Sequence, residues 1–270
     1  MSGIVPVGFV GTGNMAGAII GGITGKKIFA PGQIGVFDVN REALAEYTQR
    51  GHVAFESAEQ LVAGCKTIVL AIKPQVFDVV LPQIAKSMAP EKVLVSIAAG
   101  ISAERIKKAV GFDCKVVLVM PNTPLLIGYG ATALCRVEPA SEEEFAFVKR
   151  IFETAGIAEE VDCSLMKQVI PVNGSSPALV YLLAKLMADN AGRVGINREA
   201  ADRLFLQTLI GSAQMMLQSG KTQQELIDMV CSPGGTTLAG LAALREQGFE
   251  QAVAAYYNAC IRRAEELSGE

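Results

Sequence analysis

Two glycine-bearing stretches, more than 200 residues apart, hold the residue types that could do chemistry in this chain. The first is Gly11-Thr12-Gly13-Asn14-Met15-Ala16, directly after the apolar run Ile4–Val10. Gly11 suits a tight turn out of a strand, and Gly13 removes the Cβ that would keep a pyrophosphate away. Ala16 is small enough for the following helix to pack close to the strand. The free N–H groups and positive dipole end of that helix would then face phosphate. Glycine-rich turns are common, so a purely structural strand-to-helix turn is the alternative. The second stretch is Ser232-Pro233-Gly234-Gly235-Thr236-Thr237, where Pro-Gly-Gly forbids helix and a helical pattern resumes at Thr236. Its amides and hydroxyls form a nest for a small anion such as a carboxylate, with an ordinary inter-helix turn as the alternative. The one histidine, His52, stands in Arg50-Gly51-His52-Val53, which reads as a surface link from helix to strand. Imidazole acid–base catalysis and His-rich metal sites are thereby excluded, and no metal is expected.

The elements that position these stretches follow from the apolar pattern. After the first strand and helix, Gln33–Asp38 reads as a second strand ending in an acid 25 positions past Gly13. An aspartate there suits an adenosine ribose 2′-OH. Asn40-Arg41 could instead cradle a 2′-phosphate, and Asp38 or Asn40 could simply cap the helix over 41–50. A short strand at 53–55 and a helix at 57–63 come next. Thr67–Ile72 is a continuous apolar run, as expected of a parallel strand covered on both faces, and it stops at Lys73-Pro74-Gln75. Val93–Ala98 repeats the pattern before Gly100-Ile101-Ser102, with Ser102 a good helix cap, and Lys115–Met120 ends at Pro121-Asn122-Thr123-Pro124. Strands alternating with helices over roughly 160 residues predict a doubly wound parallel sheet. Ligands in such sheets bind at the carboxyl ends of the strands. That places Gly11–Ala16, Asp38, Ala71–Pro74, Ala98–Gly100 and Met120–Pro124 along one rim. Thr132–Val137 and Ile157–Val161 add strands around a helix at 142–155.

From Cys163 onward the pattern is helical, which divides the chain into 1–162 and 163–270. Helices are expected over 177–194, over 198–218 behind an Asn197 cap, and over 249–267. The middle one is apolar nearly all round: Phe205, Leu209, Ser212 and Met216 form one stripe, Leu206, Ile210, Ala213 and Leu217 another. Such a helix must be buried on both sides. A 108-residue tail offers little core for that, so a partner subunit is expected, the alternative being packing on the first domain alone.

Composition narrows the function classes. Lys and Arg number 24 against 27 Asp and Glu, a net charge of −3, so nothing calls for nucleic acid or an acidic membrane. Half of the 270 residues are hydrophobic, enough for a sizeable core. Six scattered cysteines, at 65, 114, 135, 163, 231 and 260, include no Cys-x-x-Cys pair. They read as reduced, mostly core thiols of a cytoplasmic protein rather than a disulfide framework or zinc site. The N-terminus has no basic leader, and the most apolar run, Val116–Leu134, is broken by Pro121, Asn122 and Pro124, so no membrane span is expected.

Ser232-Pro233-Gly234-Gly235-Thr236-Thr237-Leu238-Ala239-Gly240-Leu241, followed by Gly248-Phe249, closely resembles the signature of pyrroline-5-carboxylate reductases. Gly8–Ala16, Ala71–Gln75, Ser96–Ile101 and Val119–Pro124 look like the same family, in its order and spacing, over nearly the whole chain. The resemblance implies an N-terminal Rossmann-type sheet and an all-α C-terminal dimerisation domain. It further implies an interlocked homodimer with the pocket at its interface; larger rings of dimers occur in the family, and assembly beyond the dimer stays open. The reaction implied is hydride transfer from NADPH or NADH to the C=N carbon of 1-pyrroline-5-carboxylate, giving L-proline. By similarity the substrate carboxylate sits on the amides of Gly234, Gly235 and Thr236 with the Ser232 hydroxyl, and Thr237 is the catalytic group on the ring nitrogen. The dinucleotide would run along Gly11, Thr12, Gly13, Asn14, Met15, Asp38, Asn40, Ala71, Lys73, Pro74, Ala98 and Asn122, the last near the nicotinamide. An imine carbon accepts hydride best when its nitrogen is protonated, so orientation and one hydrogen bond serve better than a strong acid. The choice between NADPH and NADH stays open, because Asp38 would repel a 2′-phosphate that Asn40 and Arg41 could bind.

One segment departs from the family pattern. Where Ser-Gly-Ser-Gly-Pro-Ala-Tyr is usual, this chain has Asn173-Gly174-Ser175-Ser176-Pro177-Ala178-Leu179. Ser175 or Ser176 is expected to cap the next helix, with Pro177 in its first turn. Two other functions compete. A nucleotide-binding pseudoenzyme would share the fold without turnover. A β-hydroxyacid dehydrogenase needs a lysine near an asparagine on one helix face. Lys167 with Asn173 and Lys185 with Asn190, six and five residues apart, suit that poorly.

Overall fold

The structure, a computed structural model, describes residues 4–268. Its first part alternates strands with helices: β1 (Val5–Val10), α1 (Asn14–Gly25), β2 (Ile34–Phe37), α2 (Arg41–Gln49), β3 (Val53–Ala54), α3 (Ala58–Gly64), β4 (Cys65–Leu70). It continues with α4 (Phe77–Ala85), β5 (Val93–Ser96), α5 (Ala103–Val110), β6 (Lys115–Met120), β7 (Gly130–Val137), α6 (Glu142–Glu153) and β8 (Gly156–Glu160). Five helices complete it: α7 (Ser176–Arg193), α8 (Arg198–Gln218), α9 (Gln223–Val230), α10 (Thr236–Glu246) and α11 (Phe249–Ser268).

The strands form one eight-stranded sheet in the order β3-β2-β1-β4-β5-β6-β7-β8. Six are mutually parallel, whereas β7 pairs antiparallel with β6 and β8 runs parallel to β7. The doubly wound parallel sheet is present in β1–β6, and β7 and β8 are added to it in the opposite direction. Hydrophobic alternation reports which face a side chain takes but not which way its strand runs, so their direction was invisible in the pattern.

Both faces of the sheet are covered, which is why the strands read as unbroken apolar runs. Val7, Phe9, Val69, Val93, Val95, Val117 and Val119 join the buried cluster carried by α1, α2 and α6. The alternate positions Val10, Ile68, Leu70, Leu94 and Val116 join the cluster carried by α3, α4 and α5. Side-chain caps set where several helices begin, Ser57 for α3, Ser102 for α5 and Asn197 for α8 among them. The buried Lys92 ammonium donates to the carbonyls of Ala63 and Cys65, meeting acceptors at the end of α3.

The chain divides into two compact units, Met1–Pro177 with Cys260–Glu270, and Ala178–Ala259. The sheet-bearing unit thus extends past residue 162 and includes the end of α11, where Ala264 packs with Met120, Ala133, Cys135, Met166 and Ile170. In the helical unit, Leu206 and Leu217 of α8 are 49% and 79% exposed, and Leu182, Leu186 and Met187 of α7 are exposed as well. The stripe Leu206, Ile210, Ala213 and Leu217 is therefore open in the single chain, whereas Phe205 and Leu209 of the other stripe are half-buried. No helix among the described residues is long and apolar enough to cross a membrane.

Two expectations are overturned. His52 is buried rather than a surface link: its Nδ1 lies 3.1 Å from the Tyr47 carbonyl, and its ring stands edge-on to that of Tyr47. The α2 terminus folds over it. Cys135 and Cys163 form a disulfide, with Cα atoms 5.2 Å apart, because the turn after β8 returns alongside β7. The reduced-thiol reading holds for Cys65, Cys114, Cys231 and Cys260, and burial pushes the Cys65 thiol up to about 12. For a cross-link spanning 28 residues, chain entropy predicts that reduction costs about 3–4 kcal/mol of stability. Urea midpoints measured with and without reductant will show that loss, and the Cys163→Ser variant will show it in both conditions.

Candidate active site

At the end of β1 the chain makes a turn that only glycine fits. Gly11 has φ +95°, and a Cβ there would stand 2.6 Å from the Ala71 carbonyl oxygen. Its own N–H donates to the Phe37 carbonyl at 2.8 Å, while the Ala71 N–H donates to Val10 at 2.9 Å. The α1 ladder begins with Gly17 N–H to Gly13 O at 2.9 Å, which leaves the N–H groups of Asn14, Met15 and Ala16 without intrahelical acceptors. At Gly13 nothing comes within 4 Å of where a Cβ would be, so the space in front of those donors is open. Donors, dipole and open space together fit the pyrophosphate of a dinucleotide.

Asp38, one residue past β2, is tied into this loop. Its Oδ2 accepts from the Thr12 N–H at 2.7 Å and the Thr12 hydroxyl at 2.9 Å, and its Oδ1 accepts from the Asn40 N–H at 2.9 Å. Partial burial alone would raise its pKa. The hydrogen bonds from Asn40, Thr12 and Val39 outweigh that and hold the carboxyl below the usual carboxylate range. Asn40 is the residue that caps α2, its Oδ1 accepting from the N–H groups of Glu42 and Ala43 at 3.0 and 3.3 Å.

Sheet register brings the other positions to the same rim. Val10 pairs with both Phe37 and Leu70, Leu70 with Ser96, and Ser96 with Leu118. Gly11–Met15, Asp38, Ala71, Lys73, Pro74, Ala98 and Asn122 therefore all follow strand ends on one edge of the sheet. Lys73 is exposed just before the single turn Pro74–Val76. Asn122 is buried, its amide donating to the Asn173 carbonyl at 3.2 Å and its Oδ1 accepting from the Ala131 N–H at 2.9 Å. Asn173 answers by donating to the carbonyls of Met120 and Ala131 at 2.7 and 3.0 Å. The two amides clamp the end of β6, the start of β7 and the turn Ile170–Gly174. The sequence reading missed this role of Asn173; a lone amide after the apolar Ile170-Pro171-Val172 was the signal available.

Ser232, Gly234, Gly235, Thr236 and Thr237 lie in the helical unit. Gly234 has φ +70°, and the Gly235 N–H donates to the Ser232 carbonyl at 2.9 Å. A Cβ on Gly235 would stand 2.4 Å from the Ser232 hydroxyl oxygen. The α10 ladder starts with Ala239 N–H to Gly235 O. Among the described residues, the N–H groups of Gly234 and Thr236 have no acceptor. Of the three amides assigned to a carboxylate, two are thus open and the third holds the turn in shape. Thr237 lines an apolar groove of about 610 Å³ with Met215, Met216, Ile227, Val230 and Leu241.

Comparison with known proteins bears directly on this arrangement. Residues 164–267 match the family described as pyrroline-5-carboxylate reductase dimerisation, and residues 6–100 match the family described as NADP oxidoreductase, coenzyme F420-dependent. Pyrroline-5-carboxylate reductase of Escherichia coli K12 is 38% identical over 263 residues, covering 97% of this chain and 98% of its own. This chain belongs to the pyrroline-5-carboxylate reductase family. The Synechocystis pyrroline-5-carboxylate reductase is 36% identical, again over 97% of this chain and 98% of its own. The crystal structure of Plasmodium falciparum pyrroline carboxylate reductase with NADP bound has a TM-score of 0.89, at 30% identity over 98% of both chains.

Within this pyrroline-5-carboxylate reductase fold, the departing segment behaves differently from expectation. A π-helical turn, Ile170–Gly174, runs straight into α7. The Ser176 hydroxyl donates back to the Val172 carbonyl at 2.7 Å instead of accepting from the first turn. No open helix end exists there to cap, which corrects the serine-cap reading. The clamp is the testable element. Asn173→Ala strips a donor from each of two carbonyls, and the expected cost is about 1–3 kcal/mol. Faster hydrogen exchange at the ends of β6 and β7, together with a lower denaturant midpoint, will register it.

Proposed function

We propose that this chain reduces 1-pyrroline-5-carboxylate to L-proline with a reduced nicotinamide dinucleotide. The observation that carries the reading is the second glycine turn. Open amides at Gly234 and Thr236, the Ser232 hydroxyl and Thr237 on an apolar groove together fit a molecule with one carboxylate, an apolar ring and one ring nitrogen. Residues 1–162 hold the dinucleotide, and residues 163–270 hold the substrate and the dimer contact.

On the nucleotide side, the Gly11–Met15 loop and the first amides of α1 receive the pyrophosphate. Asp38 and Asn40 flank the adenosine ribose, and Ala71, Lys73, Pro74 and Ala98 line the rim. Asn122 lies toward the nicotinamide and acts chiefly by fixing the rim there, since its amide is already engaged with Asn173 and Ala131. When bound, the dinucleotide supplies the hydride.

On the substrate side, the nest neutralises the carboxylate and sets the ring's orientation. The protonated ring nitrogen donates to the Thr237 hydroxyl oxygen, which fixes the plane of the C=N bond and keeps its carbon electrophilic. The groove walls exclude water from the apolar ring. A second copy of the chain covers the exposed stripes of α7 and α8, forming a homodimer and closing the pocket.

The deciding experiment follows loss of nicotinamide absorbance with pyrroline-5-carboxylate and each dinucleotide, with proline identified as product. Turnover with neither dinucleotide overturns the proposal in favour of binding without catalysis. Thr237→Val is expected to lower kcat by about 10–100-fold, the worth of one hydrogen bond of about 1–3 kcal/mol. Gly235→Ala, which crowds the Ser232 hydroxyl, is expected to raise KM for pyrroline-5-carboxylate while leaving dinucleotide affinity unchanged.

A further inference from the structure

We infer that Asp38 makes this chain selective for NADH: its fixed carboxylate accepts the adenosine 2′-hydroxyl and excludes a 2′-phosphate. The inference rests on the reductase reading above and adds the choice of dinucleotide, which the family alone leaves open.

Position comes first. Asp38 follows the last residue of β2, and β2 lies beside β1, on whose other side, between β1 and β4, the strand order turns back. In an open sheet of this kind, the dinucleotide crosses that crevice with its adenosine ribose next to the end of the second strand. The carboxylate is also immobile. Thr12 holds Oδ2 through two hydrogen bonds and the Asn40 N–H holds Oδ1 through one. A surface aspartate could turn away from a phosphate, whereas this one would have to release the phosphate-binding loop to do so. The Val39 N–H adds a fourth interaction with the carboxylate, which fixes it further where it faces the ribose. The same hydrogen bonds keep the group ionised, so it presents full negative charge at neutral pH.

The surroundings offer a 2′-phosphate little in return. Asn40 caps α2 through its oxygen, so its amide group offers a phosphate only uncharged N–H donors. Across residues 38–46, Arg41 is the one cation, against Asp38, Glu42 and Glu46. A dianionic phosphate would meet a net negative neighbourhood with a carboxylate at its nearest point. Like charges brought together in this way repel and weaken binding.

The experiment measures Kd for NADH and NADPH by nicotinamide fluorescence, and inhibition constants for AMP and 2′,5′-ADP, on the wild-type chain, Asp38→Ser and Asp38→Asn. The asparagine variant keeps an acceptor for Thr12, so the loop stays tied if serine loosens it. The expected result is NADH binding tighter than NADPH by about tenfold or more in the wild type. The preference should narrow or reverse in both variants, and 2′,5′-ADP should gain on AMP. NADPH bound as tightly as NADH by the wild type, or a ratio unmoved by both substitutions, overturns the role of Asp38 while turnover of pyrroline-5-carboxylate leaves the reductase reading standing. Tighter NADH binding with no turnover supports Asp38 and overturns the reductase reading. Failure to bind either dinucleotide overturns both.

Discussion

At the end of β1 the backbone of Gly11 passes so near the Ala71 carbonyl that any side chain would stand 2.6 Å from its oxygen. That approach is what lets the strand end, the chain reverse and α1 begin with its donors facing the crevice. The Gly11 and Ala71 amides are bonded on either side of it, to Phe37 and Val10, so the turn is stitched to both neighbouring strands. With a Cβ in place, the β1–β4 pairing and the loop could not both keep their positions. The positive φ would add strain of its own. The remaining rim residues then need only follow their strands, because parallel register already aligns the ends.

The far side of the rim is fixed by a different kind of contact. There the chain uses two buried amides, Asn122 and Asn173, which exchange hydrogen bonds with three stretches of backbone. Side-chain amides carry both donors and acceptors, so one pair can hold a strand end, a strand start and a helical turn at once. Buried in a small space, they add rigidity where the π-helical turn would otherwise leave backbone groups unmet. The glycine turn excludes alternatives by sterics, and the amide clamp excludes them by the cost of stranding polar groups.

How far these features were legible depends on whether the signal was local. The strands were plain because burial on both faces writes itself as runs such as Ile68-Val69-Leu70, and the caps at Ser102 and Asn197 were plain because capping is a short-range contact. The glycine turns were legible by type and spacing, and membership of the reductase family followed from their order. Strand direction in β7 and β8 had one signal available, the short link between β6 and β7, too brief for a parallel crossover, but it was not legible from alternation, which is the same read either way. Nor were the Cys135–Cys163 bond, the burial of His52 or the backward bond of Ser176, each of which depends on a partner placed by the fold. The Thr12–Asp38 link joins residues 26 apart, and either residue alone reads only as a loop residue.

The reversal of β7 has a consequence for how the sheet closes. Only nine residues separate the end of β6 from the start of β7, whereas 54 separate the end of β1 from the start of β4. As bare loops, the second closure costs about 1.6 kcal/mol more than the first, by the logarithmic scaling of loop entropy with length. The antiparallel pair is thus a low contact-order corner in a sheet otherwise assembled from long crossovers. It is the part that can form from neighbouring chain alone. The β1–β4 seam beneath the glycine turn encloses β2, β3 and their helices, so its pairing carries the longest loop between neighbouring strands of the sheet.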